Sequence, residues 1–203
     1  MRKFTLVLAI LALDAGWAIA KEIPIDKPRA AAGMEIAAVY LQPIKMDPPG
    51  MMRDAKDSDI HLEADIKAAK DNSNGFAEGD WIPYLSIAYE LVHLDGGETQ
   101  KGSFMPMVAN DGPHYGDNVK LAGLGKYRLK LTVAPPYASS HEQFGRHTDK
   151  ETGVGEWFEP FTVEATGKIG ENSSMILPSC WNMINQSGGS CLTKTQRKPH
   201  TIT

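Results

Sequence analysis

Along the middle of the chain apolar residues recur at every second position, and no long segment carries the three-to-four spacing of a helical stripe. The clearest run is Ile60-His61-Leu62-Glu63-Ala64-Asp65-Ile66. Ile60, Leu62, Ala64 and Ile66 fall on one face of an extended strand, and His61, Glu63 and Asp65 fall on the other. The same alternation predicts strands at 35–41, 82–91, 104–108, 127–133 and 158–163. Turn-forming clusters separate them: Pro48-Pro49-Gly50, Asn72-Ser73-Asn74-Gly75, Asp95-Gly96-Gly97, Asp111-Gly112-Pro113, Pro135-Pro136 and Gly153-Val154-Gly155. Short strands at this spacing predict an all-β domain, an immunoglobulin-like β-sandwich that lacks the inter-sheet cysteine pair and buried Trp signature of antibody domains.

The two ends break the pattern in different ways. Met1-Arg2-Lys3 gives a basic start, residues 4–13 are nearly all apolar, and Ala18-Ile19-Ala20 supplies the small residues that a signal peptidase reads. A signal peptide at 1–20 is expected, with cleavage before Lys21 and export to the periplasm. The apolar run is too short for a membrane span, which needs about 20 such residues, so no membrane insertion is expected. From about Gly170 onward Ser, Asn, Gly, Thr and Lys dominate and the alternation is lost. The expected organisation is therefore a signal peptide at 1–20, one domain at 21–168 and a low-complexity, poorly ordered tail at 169–203. Cys180 and Cys191 both lie in that tail, where they can close a small loop in an oxidising compartment but cannot staple the domain.

A hydrophobic content of 42% in 203 residues suffices for a single core without disulfides. The net charge is -4, and loss of residues 1–20 removes two basic residues and one acidic residue, leaving -5. That balance argues against nucleic acid, whose phosphates need a basic stripe.

Motifs for hydrolysis or nucleotide binding are absent: there is no G-x-S-x-G elbow, no H-E-x-x-H, no P-loop and no cysteine in the domain to act as a nucleophile. What remains is a set of imidazoles, thioethers and carboxylates. His61 and Glu63, two apart on one strand, share a face and can reach one ion. Met105-Pro106-Met107 lies at a strand end, His114 follows in what reads as a compact turn from Asp111 to Gly116, and His147 sits in the loop Phe144-Gly145-Arg146-His147. Imidazole with thioether is a soft donor set that suits copper, above all Cu(I), better than magnesium, calcium or manganese, and zinc remains compatible. Taken singly, each residue also has a plainer reading, the histidines as solvated side chains and the methionines as core filler. His93, His141 and His200 show no partner pattern and read as surface residues. Met34, Met46, Met51 and Met52 read as packing or loop residues, with Met46 and the Met51-Met52 pair in a segment able to approach the site.

From Lys21 to about Val163 the chain resembles the periplasmic iron-transport protein family, copper-containing proteins of bacterial high-affinity iron uptake. The resemblance is carried by Gly33 to Leu41, Asp59-Ile60-His61-Leu62-Glu63-Ala64-Asp65, Ile82-Pro83-Tyr84-Leu85, Met105-Pro106-Met107, Asp111-Gly112-Pro113-His114-Tyr115-Gly116, and Phe144-Gly145-Arg146-His147 leading to Gly155-Glu156-Trp157-Phe158. It implies copper held by His61, Met107, His114 and His147, with Glu63 as a close or alternative ligand. It also implies iron as cargo at a transient acidic site, for which the matching positions are Glu22, Glu63 and Asp111. The implied assembly is a homodimer, and the implied partner an inner-membrane iron permease. The resemblance thus points to a metal-binding transport component rather than a catalyst, and leaves open whether iron is oxidised or only bound. A periplasmic copper store or chaperone with no direct iron role is the alternative, because such a site holds copper over iron whatever its cargo.

Overall fold

A computed structural model describes residues 22–136 and 144–170. The expected signal peptide, the tail with Cys180 and Cys191, His141 and His200 lie outside the described residues. The described chain is built from nine antiparallel strands, β1 (Ile23–Pro24), β2 (Arg29–Ala31), β3 (Met34–Leu41), β4 (Ile60–Ala68), β5 (Ser86–His93), β6 (Thr99–Ala109), β7 (Gly112–Val119), β8 (Gly125–Ala134) and β9 (Phe161–Ile169). A single 3-10 turn at Ala55–Asp57 lies between β3 and β4. No helix in the described residues is long and apolar enough to cross a membrane.

Strand order runs β1-β3-β4-β7-β6-β5-β8-β9, with β2 folded back on β3. The long strand β6 divides this ribbon into two sheets. Its first half, through Phe104, pairs with β5, and its second half, from Met105 to Ala109, pairs with β7. A strand that changes sheets in this way forms the corner of a sandwich. The predicted immunoglobulin-like sandwich is therefore the observed architecture.

Alternation sorts the side chains of each strand between core and outer face. Ile36, Ala38 and Tyr40 of β3, Ile60, Leu62, Ala64 and Ile66 of β4, and Tyr115 of β7 join one buried cluster with Ile87 and Leu91 of β5 and Leu129, Leu131 and Val133 of β8. Burying a Leu or Ile side chain contributes about 1.5–3 kcal/mol. This face therefore fixes the register of β4 on both neighbours, since a slip of one residue turns every apolar side chain outward.

Three differences from the predicted strands have local causes. The strand expected over 82–91 begins only at Ser86. Pro83 has no N–H to give to a ladder, and Tyr84 takes φ +59. Two backbone groups of this stretch bond instead to the buried Tyr115 hydroxyl, which donates to the Ile82 carbonyl at 2.8 Å and accepts from the Leu85 N–H at 2.9 Å. The segment read as a compact turn around His114 is strand β7, joined to β6 by the two-residue loop Asn110-Asp111. Pro113 is tolerated there because it precedes the first pair with β4, at Tyr115. Finally, the β2–β3 hairpin carries Ala32 and Gly33 at φ 51 and 70, the pairing of positive angles that suits the twist of a two-residue hairpin.

His93, expected at the surface, is 9% exposed. It ends β5 on the buried side with Ile87, Tyr89 and Leu91 and stacks on Tyr127 at 4.7 Å between ring centroids.

Candidate metal centre

The outer face of the first sheet carries the chemistry. On β4, His61 and Glu63 point away from the core, and on β7 the side opposite Tyr115 belongs to His114, Gly116 and Asn118. Register brings them together, with His61 opposite Asn118, Glu63 opposite Gly116, and Met107 of β6 opposite His114. His61, Glu63, Met107 and His114 are thereby set on three adjacent strands.

Sequence alternation suggested a polar, solvated face for His61 and Glu63, but His61 is 0% and Glu63 4% exposed. They are roofed by the segment after β3. Together with Glu22 and the β6–β7 hairpin it encloses a cavity of about 500 Å³, lined among others by Met46, His61, Glu63, Met107, Asp111 and His114. Met46, read as a loop residue able to approach the site, therefore brings a second thioether to the same space.

Glu63 Oε1 lies 3.4 Å from His61 Nε2 and 3.3 Å from His114 Nε2. One ligand atom from each of the three residues falls within 4.8 Å of the others. Donors placed about 2.0–2.1 Å from a tetrahedral centre lie about 3.3–3.4 Å apart, so both measured separations match edges of such a site. His61 Nε2 is buried without a hydrogen-bond partner. A buried nitrogen lone pair left empty is destabilising unless a cation or proton fills it. Donor type, spacing and the orphaned nitrogen thus all fit a metal ion.

The electrostatics keep this face from repelling itself. Burial, helped by the nearby charge of His114, holds His61 down at about 4, so its ring is neutral and free to ligate at ordinary pH. Burial pushes Glu63 up to about 8, and the charges of Glu22, Asp65 and Asp111 add to the shift. Glu22 rises to about 7 through burial and a hydrogen bond with the Asp111 carboxyl. Burial likewise raises Asp65. Glu22, Glu63 and Asp111 line this cavity with Asp65 nearby, and burial favours the neutral form of Glu22 and Glu63 there.

His147 stands apart. Its side chain is 75% exposed, its Nδ1 lies 3.0 Å from the Thr152 hydroxyl, and it is not among the residues lining the cavity. The single chain thus brings together His61, Glu63, Met107, His114, Glu22 and Asp111, and leaves His147 outside. Sequence reasoning missed Asn118, which shares the parity of His114 and Gly116 on one strand and touches His61 Nδ1 at 3.0 Å.

Fold and cavity together define a β-sandwich protein with buried imidazole and carboxylate groups and half-buried thioethers around one cavity. The chain belongs to the Fe2+ transport protein family, whose model matches residues 19–167. A UPF0423 protein of Brucella abortus (strain 2308) is 72% identical over 166 residues, covering 79% of this chain and 91% of that protein. Among solved structures, copper-reconstituted P19 from Campylobacter jejuni superposes with a TM-score of 0.71 at 52% identity, over 74% of this chain and 97% of its own. FetP of uropathogenic E. coli strain F11 gives 0.69 at 53% identity, over 73% and 95%.

Proposed function

We propose that this protein is a periplasmic copper-binding component of ferrous iron uptake. Its copper would be held by His61, His114 and Met107, with Glu63 as a close carboxylate ligand. The observation that carries the reading is the convergence of the two imidazoles and Glu63 within 4.8 Å in a cavity that Met107 also lines. Support comes from the family and from the copper-reconstituted relative. Bound copper supplies one-electron chemistry between Cu(I) and Cu(II), which thioether and imidazole donors respectively favour.

The chain's own residues do the rest. His61 offers a neutral ring without first losing a proton, because burial keeps its imidazolium unfavourable. Glu63 must release a proton to bind a cation, so metal uptake is coupled to proton release and strengthens as pH rises toward about 8. Ferrous iron is the cargo. The hard oxygens of Glu22 and Asp111, already hydrogen-bonded to each other beside the soft donors, are the place for it to dwell, with Glu63 within the same cavity. His147, exposed and outside the cavity of its own chain, fits the set as a donor supplied by a second copy in a homodimer. Delivery then passes to an inner-membrane permease.

A copper store or chaperone is the rival reading, and the second thioether, Met46, in the same cavity is what favours it. One measurement tests the copper site and a second separates the readings. A Met107→Ala variant should lose Cu(I) affinity in a chelator competition, and unchanged affinity removes Met107 from the site. A deletion strain should grow poorly under iron limitation. A defect under copper stress alone would rule out the iron-uptake role.

A further inference from the structure

We propose that Asn118 is a positioning residue for this centre. Its amide holds the His61 ring in the tautomer that carries its proton on Nδ1, and ties the 44–53 segment over the site. The effect on metal affinity rests on the copper reading above; the tautomer and the tie do not.

Asn118 is 2% exposed and uses all four of its hydrogen-bonding positions. Its Nδ2 donates to the Ile44 carbonyl at 2.8 Å and to the Arg53 carbonyl at 2.8 Å. Its Oδ1 accepts from the Ile44 N–H at 3.2 Å and lies 3.0 Å from His61 Nδ1. Turning the amide over would set Nδ2 against the Ile44 N–H and Oδ1 against two carbonyls, so the backbone alone fixes which end faces His61. An acceptor facing Nδ1 requires the proton there. Nε2 is then left with its lone pair, buried and unpartnered, aimed where Glu63 and His114 converge. A ring whose tautomer and orientation are set in advance has less to reorganise when a cation arrives.

The same amide closes the roof. Ile44 and Met46 line the metal cavity, while Met46 and Met52 line a second cavity of about 310 Å³ that has Asn118 in its wall. The segment between Ile44 and Arg53 is therefore pinned at both ends by the side chain that orients the ligand. Loosening it moves the Met46 thioether and the His61 ring together.

The test uses the full chain, metal-free, with nitrogen-labelled histidine. NMR should show His61 protonated on Nδ1 in the wild type; a proton on Nε2 overturns the proposal without any variant. Asn118→Asp keeps an acceptor toward His61 but loses both donated bonds, so it should retain the tautomer while trypsin cuts faster at Arg53. Asn118→Ala should mix the tautomers, speed the same cleavage and weaken Cu(I) binding about 10- to 100-fold in a chelator competition. An alanine variant with the wild-type tautomer and affinity overturns the proposal. If the wild type binds no copper, the copper reading falls, and the tautomer and cleavage results still decide the role of Asn118.

Discussion

Gly116 offers the sharpest test of how the site is built. A Cβ added there would stand 2.6 Å from His61 Nε2, 3.0 Å from His61 Cε1 and 3.1 Å from the Leu62 carbonyl oxygen. Comfortable non-bonded separations are about 3.5–4.0 Å, so the imidazole must retreat by roughly 1 Å. It has nowhere easy to go, because Nδ1 is held by Asn118 and the ring is fully buried. Gly116 has an ordinary strand backbone that alanine adopts freely, so the effect is one of volume alone. Overpacking of this kind costs about 1–3 kcal/mol, and about 2–4 °C of Tm is lost per kcal/mol in a protein of this size. Ligand sets tolerate only about 0.5 Å of displacement. Gly116→Ala should therefore melt several degrees lower in the metal-free state and lose at least tenfold in Cu(I) affinity by chelator competition. Wild-type values for both would show that His61 Nε2 does not occupy the space this glycine leaves.

Further outcomes follow from the same structure. Glu63, raised from 4.5 to about 8, keeps in the fold a proton that the unfolded chain releases near 4.5, so its stabilising contribution is full below that pH and fades as pH climbs to 8. In metal-free protein the Tm of Glu63→Gln relative to wild type should rise steadily between pH 4.5 and 8, and a flat difference would contradict the burial-driven shift. His61 acts in the opposite sense: its ring, lowered from 6.5 to about 4, adds stability above pH 6.5 that is lost as pH falls through 4. Tyr115→Phe orphans the buried Ile82 carbonyl and Leu85 N–H, at about 1–3 kcal/mol each. Chemical denaturation should show a loss of about 2–6 kcal/mol, and a loss under about 1 would mean both groups find other partners. His147→Ala, at an exposed position, should leave stability within about 0.5 kcal/mol of wild type yet lower copper retention; unchanged retention excludes His147 from the ligand set.

Period-two patterning identified β3, β4 and β8 because each buries one face, and the core side of a half-buried strand is written directly in its apolar residues. The same parity put His61 and Glu63 together. It could not show that their face is roofed, since the roof comes from a segment without periodic pattern, held by the Asn118 amide. β7 was hidden for a related reason. Gly112, Pro113 and Gly116 read as breakers, yet Gly112 serves a turn at φ +130 and Gly116 makes room for an imidazole. Residues that look like interruptions were serving the site. His93 was misplaced although its own alternation with Leu91 and Tyr89 pointed inward, because a titratable ring was weighed as polar when its stacking on Tyr127 makes it part of the core edge.

The Asn110-Asp111 connection holds two of the proposed metal donors in step, since Met107 and His114 face each other only across a loop of that length. One inserted residue there would shift the downstream strand by half a pleat, carrying His114 to the interior and Tyr115 toward water. Tolerance to length change should therefore differ sharply among the turns of this protein. The bend at Asp95-Gly96-Gly97 joins β5, which bears none of these donors, to the end of β6 remote from Met107, and can lengthen at little expense. A thioether that must stand opposite an imidazole makes the tip between β6 and β7 a ruler, and in descendants of this chain its length should be kept even where its residues are exchanged.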